Sequence, residues 1–209
     1  MICLPFKNEE AVPPAALAAL RRAMAKAESS GAAAFLLSDT ADRSAPSIAD
    51  WAQRTSTPIV QAGVQLGSGD GNAPRARRIA LEIGLLVALG APLLTTDADT
   101  CVAPDWILRN LAWLGRGTDL VCRQVDVLSA ELAALPAPVR RCGEAEAAHT
   151  AGLRELWHHW TGGSAPDPLL NAMGASLAIR PAALRKVGGL PVPPVGKDRA
   201  SAQVMEEQG

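Results

Sequence analysis

The sequence predicts an α/β protein whose sheet is mostly parallel and covered by helices on both faces. Short apolar runs, typical of strands that are buried on both faces, alternate with helix-like segments through the first half of the chain. Strands that are separated by helices pair in parallel through right-handed crossovers. We therefore expect a three-layer α/β/α architecture.

The elements of the first half follow one another regularly. Apolar runs predict strands at residues 1–4, 32–37, 58–64 and 92–96. Helical periodicity predicts helices after Pro13-Pro14, around Ile48 to Ala52, from Arg75 to Ala88 and from Pro104 to Leu114. We expect the apolar side chains on these helices to face the core, namely Ile79, Ile83, Leu86, Trp51, Trp106 and Trp113.

The second half is less regular. It predicts a strand over Asp119 to Leu128, a helix over Gly143 to Trp160 that stops at a Gly-Gly pair, and a strand over Ala175 to Ile179. Asp198 to Gln208 resembles the start and body of a helix, and the chain stops at Gly209. We expect residues 1–209 to form one domain that is truncated on its C-terminal side.

Composition narrows the function classes. The 209 residues carry 20 Lys and Arg against 21 Asp and Glu, with 3% aromatic residues and no Tyr, which argues against a nucleic-acid-binding protein. No secretory signal or bilayer-spanning stretch is present, so the sequence predicts a cytoplasmic protein. The four cysteines form no metal or disulfide pattern, and Cys3 and Cys122 are predicted to be small buried residues.

The rule for open parallel sheets places ligands outside the carboxyl ends of the strands. The loops at those ends are PFKNEE, SDTADRS, GSGDGNAPRARR and DADT. Three of them carry carboxylates and one carries arginines, a combination that suits an anionic, hydroxylated ligand with a cation. The first strand lacks a dinucleotide fingerprint, and the Gly67–Gly71 loop lacks the Gly-Lys-Ser/Thr of a phosphate-binding loop.

The Asp97-Ala98-Asp99 sequence is the most specific element. Two carboxylates one residue apart at a strand end can share a hard divalent cation that also binds diphosphate oxygens. An isolated D-x-D is weak, because aspartates before a helix are commonly caps. Here an apolar run precedes it and a helix start follows it, which favours the ligand site.

The series PFKNEE, LLSDTADRSA, LLTTDADTCVAPDWI, GASLAIRPAALRKVGGLP and GKDRA, in this order along nearly the whole chain, resembles the family 2 glycosyltransferases. The resemblance implies a GT-A, Rossmann-like fold with a nucleotide-binding half (residues 1–118) and an acceptor-binding half (residues 119–209). It implies an inverting, hexosyltransferase-like transfer from a nucleotide diphosphate donor, most often a UDP-sugar, with Mn²⁺ or Mg²⁺ as cofactor. The acceptor would be a saccharide or lipid-linked hydroxyl of the kind used in polysaccharide biosynthesis. Peripheral membrane association stays open.

The resemblance also implies roles for individual residues. Those that would bind the nucleotide or donor are Pro5, Phe6, Glu9, Asp39, Asp97, Asp99 and one of Arg75, Arg77 and Arg78, of which we favour Arg78. Asp97 and Asp99 would hold the metal, and Gly174, Ala175 and Ser176 would border the donor sugar and acceptor. Asp198 would be the general base, although Lys197 stands where the family usually has an acidic residue.

Two other functions remain open from the sequence. A non-catalytic nucleotide-sugar-binding relative, or an inactive fragment, is favoured by Lys197 and by the position of the chain end. A haloacid dehalogenase-type phosphatase is a more remote alternative, because its D-x-D-x-T loop normally follows the first strand and Cys101 departs from its pattern.

Overall fold

The computed structural model describes residues 1–10, 13–28, 31–67, 72–123, 125–163 and 176–192. These residues form two compact units, which we call the sheet unit (residues 1–123 and 176–192) and the helical unit (residues 125–163). The strands are β1 (Ile2–Phe6), β2 (Ala33–Ser38), β3 (Ile59–Val64), β4 (Leu93–Thr96), β5 (Leu120–Cys122) and β6 (Ser176–Ile179). The helices are α1 (Pro13–Lys26), α2 (Ser44–Gln53), α3 (Asn72–Val87), α4 (Trp106–Gly115), α5 (Ser129–Ala134), α6 (Ala137–Thr161) and α7 (Pro181–Lys186).

The sheet unit is built on one sheet with the strand order β3-β2-β1-β4-β6-β5. β1 pairs in parallel with β2 and β4, and β2 pairs in parallel with β3. β6 is antiparallel to both β4 and β5. The predicted mostly parallel α/β architecture is therefore confirmed, and the four parallel strands end at one common edge.

The two faces of the sheet bury separate apolar clusters, because successive side chains of a strand point to opposite faces. Phe35 of β2 packs with residues of α1, α2 and α4 on one face, including Trp51, whose indole N–H donates to the Leu17 carbonyl at 2.9 Å. Leu36 packs on the other face with residues of α3 and α7, including Leu81. The structure therefore has the three predicted layers.

Two packing predictions in the sheet unit are wrong. Leu86 is 80% exposed, because it is two residues, or about 200° around the helix, from Gly84, which lies against Cys3 of β1. Trp113 is 46% exposed and lies at the flank of α4, with the Arg116 guanidinium 5.0 Å from its ring centroid. Cys3 is buried as predicted, whereas Cys122 is only half-buried.

The second half of the chain differs most from the prediction. The strand predicted over Asp119 to Leu128 is limited to Leu120–Cys122, and α6 begins at Ala137 rather than Gly143. Pro138 lies in the first turn of α6, where its missing N–H needs no partner. The predicted glycine stop is confirmed, since Gly162 is left-handed (φ 60°) and caps the helix.

The predicted helix over Asp198 to Gln208 lies outside the described residues. Among the residues that are described, no helix combines the length and apolarity required to span a membrane.

Candidate functional site

The loops that follow β1 and β2 are tied together at the carboxyl edge of the sheet. Each loop donates two backbone N–H groups to side-chain oxygens of the other: Glu9 to Ser44 (2.9 Å), Glu10 to Asp42 (2.8 Å), Ala41 to Asn8 (2.9 Å) and Arg43 to Glu10 (3.0 Å). Asn8 adopts a left-handed conformation (φ 54°), which asparagine tolerates better than most residues. The two loops therefore form one continuous rim.

Asp39 connects this rim to the loop after β3. Its Oδ1 accepts hydrogen bonds from the backbone N–H groups of Leu66 (2.8 Å) and Gly67 (3.1 Å). Its Oδ2 is buried without a hydrogen bond from the described residues and lies 3.8 Å from Lys7 Nζ. One oxygen of Asp39 thus fixes the loop, and the other is left as an acceptor.

A cleft of about 600 Å³ lies beside Asp39, at the ends of β2 and β3. Its walls combine small or apolar residues with a few polar ones: Leu37, Asp39, Thr40, Ala41, Asp42, Ala45, Gly63, Val64 and Gln65. None of the described residues that line it is a Lys or an Arg. Apolar walls with a small number of polar groups are typical of small-molecule sites.

The loop after β4 brings two further carboxylates to the same edge. The pKa of Glu9 is raised by its partial burial and by the nearby charges of Asp99, Asp42 and Asp97. Asp99 is exposed, and Asp97 is half-buried. The first, second and fourth loops therefore place their carboxylates close enough to repel one another.

Arg77 balances part of this negative charge. It is 3% exposed, and its Nη2 donates to Asp97 Oδ1. Arg78, which the sequence analysis favoured, donates instead to Glu82 Oε1 (2.8 Å) and to the carbonyls of Gly188 (2.8 Å) and Leu190 (3.2 Å). Arg78 therefore holds α3 to the segment after α7, and Arg77 is the arginine that contacts a predicted site carboxylate.

The remaining predicted residues are placed as follows. Phe6 is buried and packs edge-on against Phe35, so only its backbone carbonyl, which accepts hydrogen bonds from the Ser38 and Thr40 hydroxyls, faces the rim. Pro5 is half-buried and Arg75 is exposed. Gly174, Ala175, Lys197 and Asp198 lie outside the described residues.

Ser176 makes a buried structural contact that could not be predicted from the sequence. Its side chain is 3% exposed, and its hydroxyl accepts the indole N–H of Trp106 at 2.8 Å. Trp106 begins α4, directly after the Asp97–Asp99 loop, and its carbonyl accepts the side-chain N–H of Asn110 (2.9 Å). This buried contact connects the start of α4 to β6.

The described side chains could supply only some of the ligands that a divalent cation needs. No three His, Cys, Asp or Glu side chains of the described segments are grouped closely enough to hold a metal ion. Mg²⁺ in phosphate sites is usually bound through one or two carboxylates and completed by the phosphates. Asp97 and Asp99 suit such a shared site, with Asp97 keeping one oxygen for Arg77.

Comparisons with known proteins rest on structure. No family model and no curated protein sequence matches the chain. Among solved structures, the mannosyltransferase PcManGT from Pyrobaculum calidifontis, in complex with GDP-Man and Mn²⁺, has a TM-score of 0.64 at 15% identity over 98% of this chain and 50% of its own. TarS (1–349) of S. aureus has a TM-score of 0.61 at 13% identity over 99% of this chain and 55% of its own. TarS has also been solved with UDP and with UDP-GlcNAc.

A third structure, glucosyl-3-phosphoglycerate synthase of M. tuberculosis, has a TM-score of 0.54 at 17% identity over all of this chain and 66% of its own. It has also been solved with Mn²⁺, UDP and glucosyl-3-phosphoglycerate. The chain spans about half the length of the first two structures. Structural similarity at identities this low establishes the fold alone, so the activity has to be argued from the residues of the site. The fold that the motif series implies is therefore confirmed: the chain has the GT-A fold of nucleotide-diphospho-sugar transferases.

Proposed function

We propose that this chain is a family 2 glycosyltransferase domain that moves a sugar, with inversion, from a nucleotide diphosphate donor to an acceptor hydroxyl. The donor is a UDP-sugar, and Mn²⁺ or Mg²⁺ assists the reaction. The single observation that carries the proposal is the convergence of Glu9, Asp97 and Asp99 with the buried Arg77 at the carboxyl edge of a GT-A sheet. A site with this charge pattern suits a diphosphate that arrives with a cation.

We infer that the nucleobase and the diphosphate bind at two separate places along the carboxyl edge. The cleft lies at β2 and β3, whereas Asp97 and Asp99 follow β4, two strands away from β2. Neighbouring strands are about 4.8 Å apart, so these positions are separated by about 10 Å. We place the nucleobase in the cleft, with Asp39 Oδ2 accepting a base N–H, and the diphosphate beside Asp97, Asp99 and Arg77.

The transfer itself needs one base. The acceptor oxygen bonds to the anomeric carbon as the bond from that carbon to the diphosphate oxygen breaks, and the acceptor proton passes to a carboxylate, for which we propose Asp198. Arg77 holds Asp97 in place through its hydrogen bond. When bound, the cation would stabilise the negative charge of the leaving nucleoside diphosphate. Gly174 and Ala175, next to the buried Ser176, would border the sugar and acceptor within an acceptor-binding half of residues 119–209.

The first test is a calorimetric titration of UDP, and then of GDP, with and without Mn²⁺. We expect Mn²⁺-dependent UDP binding that Asp99→Ala abolishes. Asp50→Ala is the matched control, because Asp50 is an exposed aspartate on α2 outside the rim. A folded wild type that binds neither nucleotide, or equal losses in both variants, would contradict the proposal.

Turnover is tested separately with Asp198→Asn. We expect this variant to keep UDP binding and to lose transfer, because the acceptor hydroxyl then has no base. Unchanged transfer would show that another group takes the proton.

A further inference from the structure

We propose that the outer surface of α1 and α4 docks on an anionic lipid bilayer. The residues that define this α1/α4 face are Arg21, Arg22, Lys26, Leu108, Trp113 and Arg116, all of them exposed. No membrane-spanning helix is involved; the contact is with the surface of the membrane.

The charge on these helices is one-sided. The chain as a whole has 20 basic and 21 acidic residues. α1 carries Arg21, Arg22 and Lys26, and neither α1 nor α4 contains an Asp or a Glu. Arg109 of α4 pairs with Asp105, whereas none of the ion pairs among the described residues involves Arg21, Arg22, Lys26 or Arg116. The face therefore presents four unneutralised cations, which suits a negatively charged partner.

The two helices share one side of the sheet. Leu17 and Leu20 of α1 and Ile107 and Leu114 of α4 belong to the same buried cluster. α1 packs against α4 directly, so the sides of the two helices that do not enter this cluster are turned to the same solvent. The four cations thus lie on one surface of the sheet unit.

Two exposed apolar side chains of α4 distinguish a membrane from other anionic partners. Leu108 is 41% exposed and Trp113 46% exposed, although both lie on a helix whose other apolar residues are mostly buried. Tryptophan is enriched at the headgroup level of membranes, where its ring is apolar and its N–H stays hydrated. Amphipathic helices that combine Lys and Arg with Trp and Leu bind at this interface.

The α1/α4 face lies apart from the candidate functional site. α1 and α4 contribute no residue to the cleft, to the rim of residues 7–10 and 39–44, or to the Asp97–Asp99 pair. Docking of the α1/α4 face therefore leaves the carboxyl edge uncovered. Docking of this face on a membrane does not require the proposed transfer activity.

The test is flotation of the whole chain with two kinds of vesicle, pure phosphatidylcholine and an equimolar mixture of phosphatidylcholine and phosphatidylglycerol. We expect binding to the anionic vesicles alone, weakened by added salt. The triple variant Arg21→Gln/Arg22→Gln/Lys26→Gln should lower the partition coefficient about 100-fold, since each basic residue near an anionic surface contributes about fivefold. Trp113→Ala should weaken binding further.

Two matched controls make the outcome specific. Arg141→Gln/Arg154→Gln/Arg185→Gln removes the same charge from exposed positions elsewhere, and Trp160→Ala removes an exposed tryptophan of the helical unit. Both should bind as the wild type does. No binding of the wild type at low salt, or equal losses in test and control variants, would overturn the proposal. Equal binding to a soluble polyanion such as heparin, with no effect of Trp113→Ala, would overturn it in favour of a soluble acidic partner.

Discussion

The sheet unit and the helical unit use apolar residues in opposite ways. Strands β1, β2 and β4 of the sheet unit contribute buried side chains to two apolar clusters, and the edge strand β3 packs partly buried side chains against them. In the helical unit, neither α5 nor α6 has a buried residue. Eight of its large apolar side chains are exposed: Val127, Leu128, Leu132, Leu135, Val139, Leu153, Leu156 and Trp160.

This difference indicates where the stability of the chain originates. The sheet unit gains its free energy from burial of apolar surface, so its residues are strongly coupled to one another. The helices of the helical unit depend on local propensity and capping, for example at Gly162. The same substitution should therefore have different effects in the two units, and matched pairs can test the comparison.

The largest contrast is expected for leucine truncation. Leu36→Ala should lower the free energy of unfolding by about 2–5 kcal/mol, because Leu36 is 1% exposed and its removal leaves a cavity. Leu156→Ala should change it by less than about 0.5 kcal/mol, because Leu156 is 53% exposed. Urea denaturation followed by tryptophan fluorescence measures both. A comparable loss in the two variants would show that Leu156 is covered in solution.

Glycine substitution should change sign between the units. A Cβ added at Gly84 of α3 would lie 2.5 Å from Cys3 Sγ and 3.0 Å from Leu93 Cδ2, so Gly84→Ala should destabilise by about 1–3 kcal/mol. A Cβ at Gly152 of α6 would meet nothing within 4 Å, so Gly152→Ala should stabilise its helix by about 0.5–1 kcal/mol. Denaturation followed by circular dichroism tests both signs, and destabilisation by Gly152→Ala would contradict the structure of α6.

The same contrast explains which parts of the fold the sequence could predict. Strands β1 to β4 were predictable because each is a largely apolar run. β1, β2 and β4 are almost entirely buried, whereas the edge strand β3 has half-buried and exposed residues. The start of α6 was not predictable, because the helical unit offers no burial pattern with which to fix it. The short extent of β5, an edge strand of the sheet unit, was not predicted either. Leu86 and Trp113 satisfy helical periodicity, yet the rotations of α3 and α4 about their axes leave them exposed.

Some features of the candidate site were likewise predictable from the sequence and others were not. The meeting of the loops follows from topology alone, since parallel strands end at one edge. The choice between Arg77 and Arg78 does not, because adjacent helix positions point about 100° apart and the rotation of α3 is fixed by Ala76 and Ala80 packing on the sheet. The burial of Ser176 depends on its antiparallel pairing with Thr96 and on Trp106, contacts between distant parts of the chain.

A smaller contrast is expected for the indole hydrogen bond. Trp51→Phe removes the donor to the Leu17 carbonyl and should cost about 1 kcal/mol or slightly more, because that carbonyl is buried. Trp160→Phe should have almost no effect, since Trp160 is 77% exposed. Thermal unfolding of the two variants beside the wild type provides the comparison. If Trp160→Phe is the more destabilising, the helical unit buries this ring against a partner.

The smallest contrast is expected at alkaline pH, between the buried thiol of Cys3 in the sheet unit and the exposed thiol of Cys142 in the helical unit. Burial raises the pKa of the Cys3 thiol to about 12, against 9.0 for an ordinary cysteine, so the folded chain holds this proton more tightly than the unfolded chain does. The stability that this contributes is complete below about pH 9 and decreases as the pH rises from 9 towards 12. At pH 10 the loss should be about 1 kcal/mol, and Cys3→Ala should remove this part of the pH dependence. Cys142→Ala, at an exposed position on α6, should leave the pH dependence unchanged.

Urea midpoints at pH 8 and pH 10 measure the difference, and thiol labelling of the native chain should modify Cys142 and spare Cys3. Equal labelling of both thiols would show that β1 is open to solvent, which would remove the contrast between the units at its structural origin.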